Sequence, residues 1–201
     1  MYAEFSPSLL ENWTKVLAMK KEDKVANPSK LRVDLRLYSE LISVGIFHLK
    51  ESLSLLGNVL TTLVAQDKET LSNISIITSF CKHCGDDYAG LIPYSIQKLA
   101  EKYGYVIRRA DLLPPEKQKP LRAILKDYYL CLSNALLALH AEVAMLERGN
   151  RRQMLTKGEI SAERKEKLDR LQQEKEKLFA NTVQVSSFFW PNFGTALECC
   201  I

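Results

Sequence analysis

Glycine and proline are scarce in this chain of 201 residues, eight and seven respectively, and the prolines fall at intervals that mark helix starts rather than a linker. Their scarcity excludes a collagenous or low-complexity chain and confines expected disorder to the termini. No uninterrupted apolar run approaches a membrane span, the longest candidate being Leu41 to Phe47, whereas a spanning helix needs about 20 apolar residues. A secretory signal is not expected, because Glu4, Glu11 and Lys15 stand where it would need an apolar segment. The five cysteines are odd in number and unevenly spaced, which is not a secreted disulfide framework. Reduced thiols and an intracellular address are therefore expected, and the sequons at Asn12 and Asn73 carry no meaning there. Alternating strand patterns, Ser-His-Asp arrangements, phosphate-cradling glycine loops and kinase signatures are all absent. Neither an enzyme nor a cofactor-binding protein is expected.

What is present is helical. Hydrophobic residues make up 46% of the chain and charged residues 26%, enough for a packed core. The net charge of +4 is dispersed, so it permits contact with RNA without predicting a strong field. Ser6-Pro7 reads as an N-cap and first helical position, opening a stripe of Leu9, Leu10, Trp13 and Leu17. Asn27-Pro28 repeats the signal ahead of Leu31, Leu35, Tyr38, Ile42 and, at the edge of the pattern, Ile46. A third stripe runs Leu49, Leu53, Leu56, Leu60 and Leu63. The fourth, Ile74, Ile77, Cys81 and Cys84, is expected to start near Thr70 and to stop at Gly85. Pro93 opens a fifth around Ile96, Leu99 and Tyr103. Pro114-Pro115 precede a sixth of Leu121, Leu125, Tyr128, Leu132, Ala135, Leu139, Val143 and Leu146.

Odd-numbered helices thus begin near residues 7, 49 and 93, and even-numbered ones near 28, 70 and 115. Each pair recurs after roughly 42 to 45 residues, the spacing of HEAT repeats, which bury their apolar sides only by stacking. The expected fold is an all-α, HEAT-repeat-like solenoid of antiparallel helix pairs. Leu9, Leu10, Trp13, Val16 and Leu17 make the first helix more apolar than a terminal cap should be, so sequence upstream of it is expected to cover it.

Three local patterns could carry chemistry. Cys81-Lys82-His83-Cys84 has the spacing of half a zinc site, but no second pair accompanies it, since His48, His140 and Cys131 stand on other stripes. Both cysteines continue the Ile74 and Ile77 face, so buried structural thiols are expected at the end of that helix, with no metal held there. Asp86 and Asp87 read as turn or cap residues. After Glu147 comes a basic stretch, Arg148, Arg151, Arg152 and Lys157, closed by Gly158; Ser161 then caps a charge-laced helix carrying Leu168, Leu171 and Leu178. A solvated helical hairpin is the expected structure, and the four basic residues are the candidate surface for RNA phosphate or an acidic partner. The tail holds Phe188, Phe189, Trp190 and Phe193 without helical spacing, and Cys199-Cys200-Ile201 is not a prenylation box, since Glu198 occupies the place of its cysteine.

Several blocks together resemble one family. Lys30-Leu31-Arg32-Val33-Asp34-Leu35-Arg36, Val44-Gly45-Ile46-Phe47 and the run from Ser79 to Leu91 are similar to the first of three middle domains in the up-frameshift suppressor 2 family, and Pro115-Glu116-Lys117-Gln118, Asn150-Arg151-Arg152 and Ser161 continue the match in order. The resemblance covers roughly Tyr2 to Val185 and leaves residues 186–201 as an unmatched tail. It implies a HEAT domain like the middle domain of eukaryotic initiation factor 4G, preceded in the family by further helices, so that the chain looks like a fragment. It also implies a non-catalytic adaptor in nonsense-mediated mRNA decay, working beside decay and exon-junction proteins in the cytoplasm and around the nucleus. Weak RNA binding is compatible with it, whereas membranes, cofactors and small-molecule substrates are not expected. A translation-initiation scaffold is the alternative on the same fold, and a cysteine-based metal or redox protein is the alternative outside it.

Overall fold

The computed structural model describes residues 5–19, 25–92, 94–105 and 113–187, so Pro93 and the aromatic tail from Phe188 onward lie outside the described residues. All regular structure among the described residues is helical: α1 (Phe5–Val16), α2 (Pro28–Ser43), α3 (Leu49–Thr70), α4 (Ile74–Ala89), α5 (Tyr94–Tyr103), α6 (Pro115–Lys157) and α7 (Ala162–Ser186). The chain divides into two compact units, residues 1–128 and 129–201, with α6 beginning in the first and ending in the second.

In the first unit α2 packs chiefly on α4, two elements further along the chain, and α3 touches both. This contact between alternate helices is what stacked pairs require. Asn27 caps α2 by accepting from the Lys30 amide at 2.9 Å, and Pro28 takes the first helical position. Leu31, Leu35, Tyr38 and Ile42 are buried along one side of α2, opposite the buried Ile77, Phe80, Cys84 and Tyr88 of α4. The Tyr88 hydroxyl donates to the Ser39 carbonyl at 2.6 Å and stands 3.1 Å from the Ser43 hydroxyl. Asp67 stands in the last turn of α3: its Oδ1 accepts from the Asn73 amide at 2.7 Å, and its Oδ2 from the Tyr128 hydroxyl at 2.7 Å. Leu71, in left-handed backbone at φ 50°, makes the turn between α3 and α4.

Five expectations are corrected. Ser6 lies inside α1 rather than capping it, and its hydroxyl donates to the Ile46 carbonyl at 2.6 Å, tying α1 to the turn after α2. Ile46 is not on the α2 stripe, because that helix stops at Ser43 and leaves Ile46 beyond its end, 37% exposed. Thr70 closes α3, and α4 starts at Ile74. Gly85 does not end α4; the helix runs to Ala89, where Gly90 at φ 62° returns its amide to the Asp86 carbonyl. Gly85 is instead a packing residue, since a Cβ there would stand 3.5 Å from the Leu91 Cβ. The fifth stripe is a helix, yet Ile96, Leu99 and Tyr103 are exposed rather than buried.

Candidate partner surface

Cys81 and Cys84 lie on the core face of α4, a turn and more before its end rather than closing it. Burial pushes the Cys81 thiol up to about 12 and the Cys84 thiol to about 11, so both stay protonated at neutral pH and offer no thiolate for a metal or an electrophile. His83 projects outward, and desolvation together with the charges of Arg36 and Lys82 holds it below its usual pKa. Among the described residues no group of three or more histidines, cysteines or carboxylates is placed to hold a metal. Asp86 and Asp87 occupy the last turn of α4, where the Asp86 carbonyl accepts the capping amide of Gly90 and the Asp87 carbonyl accepts from Gln118 Nε2 at 3.2 Å. Burial, then the charges of Asp86 and Glu40, raise the Asp87 carboxyl above its usual range.

The basic stretch forms one arm of a helical hairpin with α7. It forms the last turns of α6, which continues without a break past Glu147 to Lys157. Arg148, Arg151, Arg152 and Lys157 are all exposed. At about 100° per residue, Arg148, Arg151 and Arg152 share one side of α6, whereas Lys157 is turned about 140° from Arg152 and does not join them. Gly158, at φ 76°, turns the chain into α7, with Ser161 at the N-cap position.

The opposite side of this end of α6 meets α7. Asn150 is buried and its Oδ1 accepts from Arg164 Nε at 3.0 Å. Gly149 permits this approach, because a Cβ there would come within 2.9 Å of the Arg164 guanidinium. Gln172 Nε2 donates to Glu147 at 3.0 Å, and Lys167 pairs with Glu142 at 3.4 Å. Leu171 and Leu178 are buried, while Leu168 is only half-buried. A groove of about 490 Å³ lies against Leu146, Glu163, Arg164, Glu166, Lys167 and Arg170. With both signs of charge on its walls it selects no simple ion.

Sequence reasoning missed the hairpin seam of Gly149, Asn150 and Arg164, although a glycine beside an asparagine deep in a helical stretch was a legible signal of close approach. It also missed a second apolar side of α6. Leu130, Leu137, Met145 and Leu155 are exposed, on the side away from the buried Leu132 and Val143.

No family model matches the chain. It is 40% identical to human Regulator of nonsense transcripts 2 and 39% identical to the mouse protein, each over 191 residues and 95% of this chain. Regulator of nonsense transcripts UPF2 of Arabidopsis thaliana is 27% identical over 191 residues. The chain spans only 15% of the length of these relatives. Among solved structures, the first MIF4G domain of human nonsense mediated decay factor UPF2 matches with a TM-score of 0.87 and 40% identity, over 93% of this chain and 61% of that one. The all-α fold with stacked helix pairs and the sequence agree: this chain is a homologue of the first MIF4G domain of the regulator of nonsense transcripts 2 proteins.

Proposed function

We propose that the chain is a non-catalytic scaffold of nonsense-mediated mRNA decay that positions decay and exon-junction proteins in the cytoplasm and around the nucleus. The single observation that carries this reading is the 40% identity to human Regulator of nonsense transcripts 2 across nearly the whole chain. The geometry is consistent with it. Cys81 and Cys84 are buried and protonated, and the groove beside α7 combines opposite charges on its walls. The most distinctive exposed features are a helix face and three arginines, which suit contact with macromolecules. Protein contact is favoured over RNA, because three arginines neutralise few phosphates and non-specific affinity rests on that number.

A reporter assay tests the proposal. Overexpressed as an isolated domain, the chain should compete for decay factors and lengthen the half-life of a transcript with a premature stop codon, leaving the matched normal transcript unchanged. Equal half-lives with and without the chain, or parallel changes in both transcripts, contradict it.

A further inference from the structure

The second half of α6 is apolar on two sides. From Tyr129 to Leu146 its only formally charged residue is Glu142, which pairs with Lys167 of α7. Contrary to the expectation that Leu41 to Phe47 is the longest candidate, an 18-residue window of α6 reaches a mean hydropathy of 1.5, long and apolar enough by composition to cross a membrane, yet only 22% of it is buried. Tyr129, Leu132, Leu136 and Val143 form the buried side. Nearly opposite them stand Leu130 (47% exposed), Leu137 (48%) and Met145 (66%), with Asn134 and Ala141 between them, and the line continues through Arg148 and Arg152 to Leu155 (83%). Steps of three and four residues put all eight on one strip, about 37 Å long at 1.5 Å per residue. A helix apolar on both sides is ordinarily covered on both, and an exposed stripe with this spacing is the pattern that receives a second helix. The small Ala141 at mid-strip allows that helix a close approach.

We propose that this strip is the docking site for an amphipathic helix of a partner protein, whose apolar side meets Leu130 to Met145 and whose acidic end meets Arg148 and Arg152. Arg164 is engaged by Asn150 and Lys167 by Glu142, whereas Arg148 and Arg152 make no ion pair within the described residues. A second copy of the chain fits poorly. Parallel pairing sets arginine against arginine, and antiparallel pairing about Ala141 sets Arg152 against Leu130. The inference rests on the scaffold reading and deepens it by naming the surface that holds a partner.

Two fluorescent helical peptides of 28 residues serve as probes against the purified chain. Both carry leucine and alanine at heptad core positions; one ends in two turns rich in glutamate, the other in two turns rich in lysine. The glutamate probe should bind at least tenfold more tightly at low salt. Leu137→Glu should weaken it at least tenfold, and the double variant Arg148→Glu/Arg152→Glu should reverse the preference between probes. All three positions are exposed, so helicity by circular dichroism should be unchanged. Equal binding of the two probes, or indifference to Leu137→Glu, overturns the proposal. So does self-association by light scattering that Leu137→Glu disperses, which assigns the strip to a second copy. Co-sedimentation with phosphatidylcholine–phosphatidylserine vesicles that Leu137→Glu abolishes assigns it to a lipid surface instead. These measurements use the chain alone, so their failure leaves the decay assignment, which is read in cells, standing.

Discussion

The hydroxyl of Tyr128 donates to Oδ2 of Asp67 across 61 residues of sequence, at 2.7 Å and with both side chains sealed from solvent. The other carboxylate oxygen holds the Asn73 amide, so one side chain fastens the turn between α3 and α4 to the first half of α6. Removing it takes the carboxylate acceptor from both buried donors. Asp67→Ala should therefore cost about 3 kcal/mol, and Tyr128→Phe, which takes one donor from a buried carboxylate, about 1–2 kcal/mol. Denaturant unfolding followed by circular dichroism measures both, and equal losses would show that the Asn73 amide contributes nothing.

Asp67 also gives stability a pH dependence of definite sign. Burial raises its pKa above the ordinary carboxylate value, against the lowering effect of Tyr128 and the backbone donors. The folded state therefore holds the proton more tightly than the unfolded state. The corresponding stability is fully present below the unfolded pKa and is lost as pH rises through the folded pKa. Asp67→Asn removes this titration. Its stability relative to the parent chain should rise as pH increases through the carboxylate range, and a pH-independent difference would contradict the sign.

The helix pairs were legible in the sequence because periodic leucines and Asn-Pro or Pro-Pro starts are local signals; α2, α3 and α6 begin where those signals stand. Helix ends were less legible. Gly85 resembled a C-cap in isolation, and only the approach of Leu91 shows that it serves packing. The candidate surface was half legible. Charge marked Arg148, Arg151 and Arg152, but the side of this 43-residue helix that meets α7 carries Gly149 and Asn150, whose contact with Arg164 forms only in three dimensions.

That seam yields a third prediction. Asn150→Ala should cost about 1–2 kcal/mol, since it removes a charge-assisted hydrogen bond while Arg164 remains able to turn toward water. Gly149→Ala displaces the flexible end of Arg164 but gains about 1 kcal/mol of helix propensity, so its net effect should be close to zero. Paired thermal melts check the contrast. A Gly149→Ala chain as unstable as Asn150→Ala would mean that Arg164 cannot give way.

The buried thiols supply a fourth. With the Cys81 thiol pushed up to about 12 and that of Cys84 to about 11, neither should be alkylated by iodoacetamide at pH 8 in the folded chain, and both should be after unfolding. Peptide mapping by mass spectrometry reads the labels. Rapid modification of either in the native state would contradict the burial on which their structural role rests.

The central claim, a scaffold of nonsense-mediated decay, is tested most directly by quantitative affinity purification of the tagged chain from cells, compared with the Leu137→Glu variant. Decay and exon-junction proteins should be enriched over cap-binding initiation factors, with at least one decay protein lost from the variant. Enrichment of cap-binding factors instead, or recovery of no decay protein by the parent chain, would contradict it.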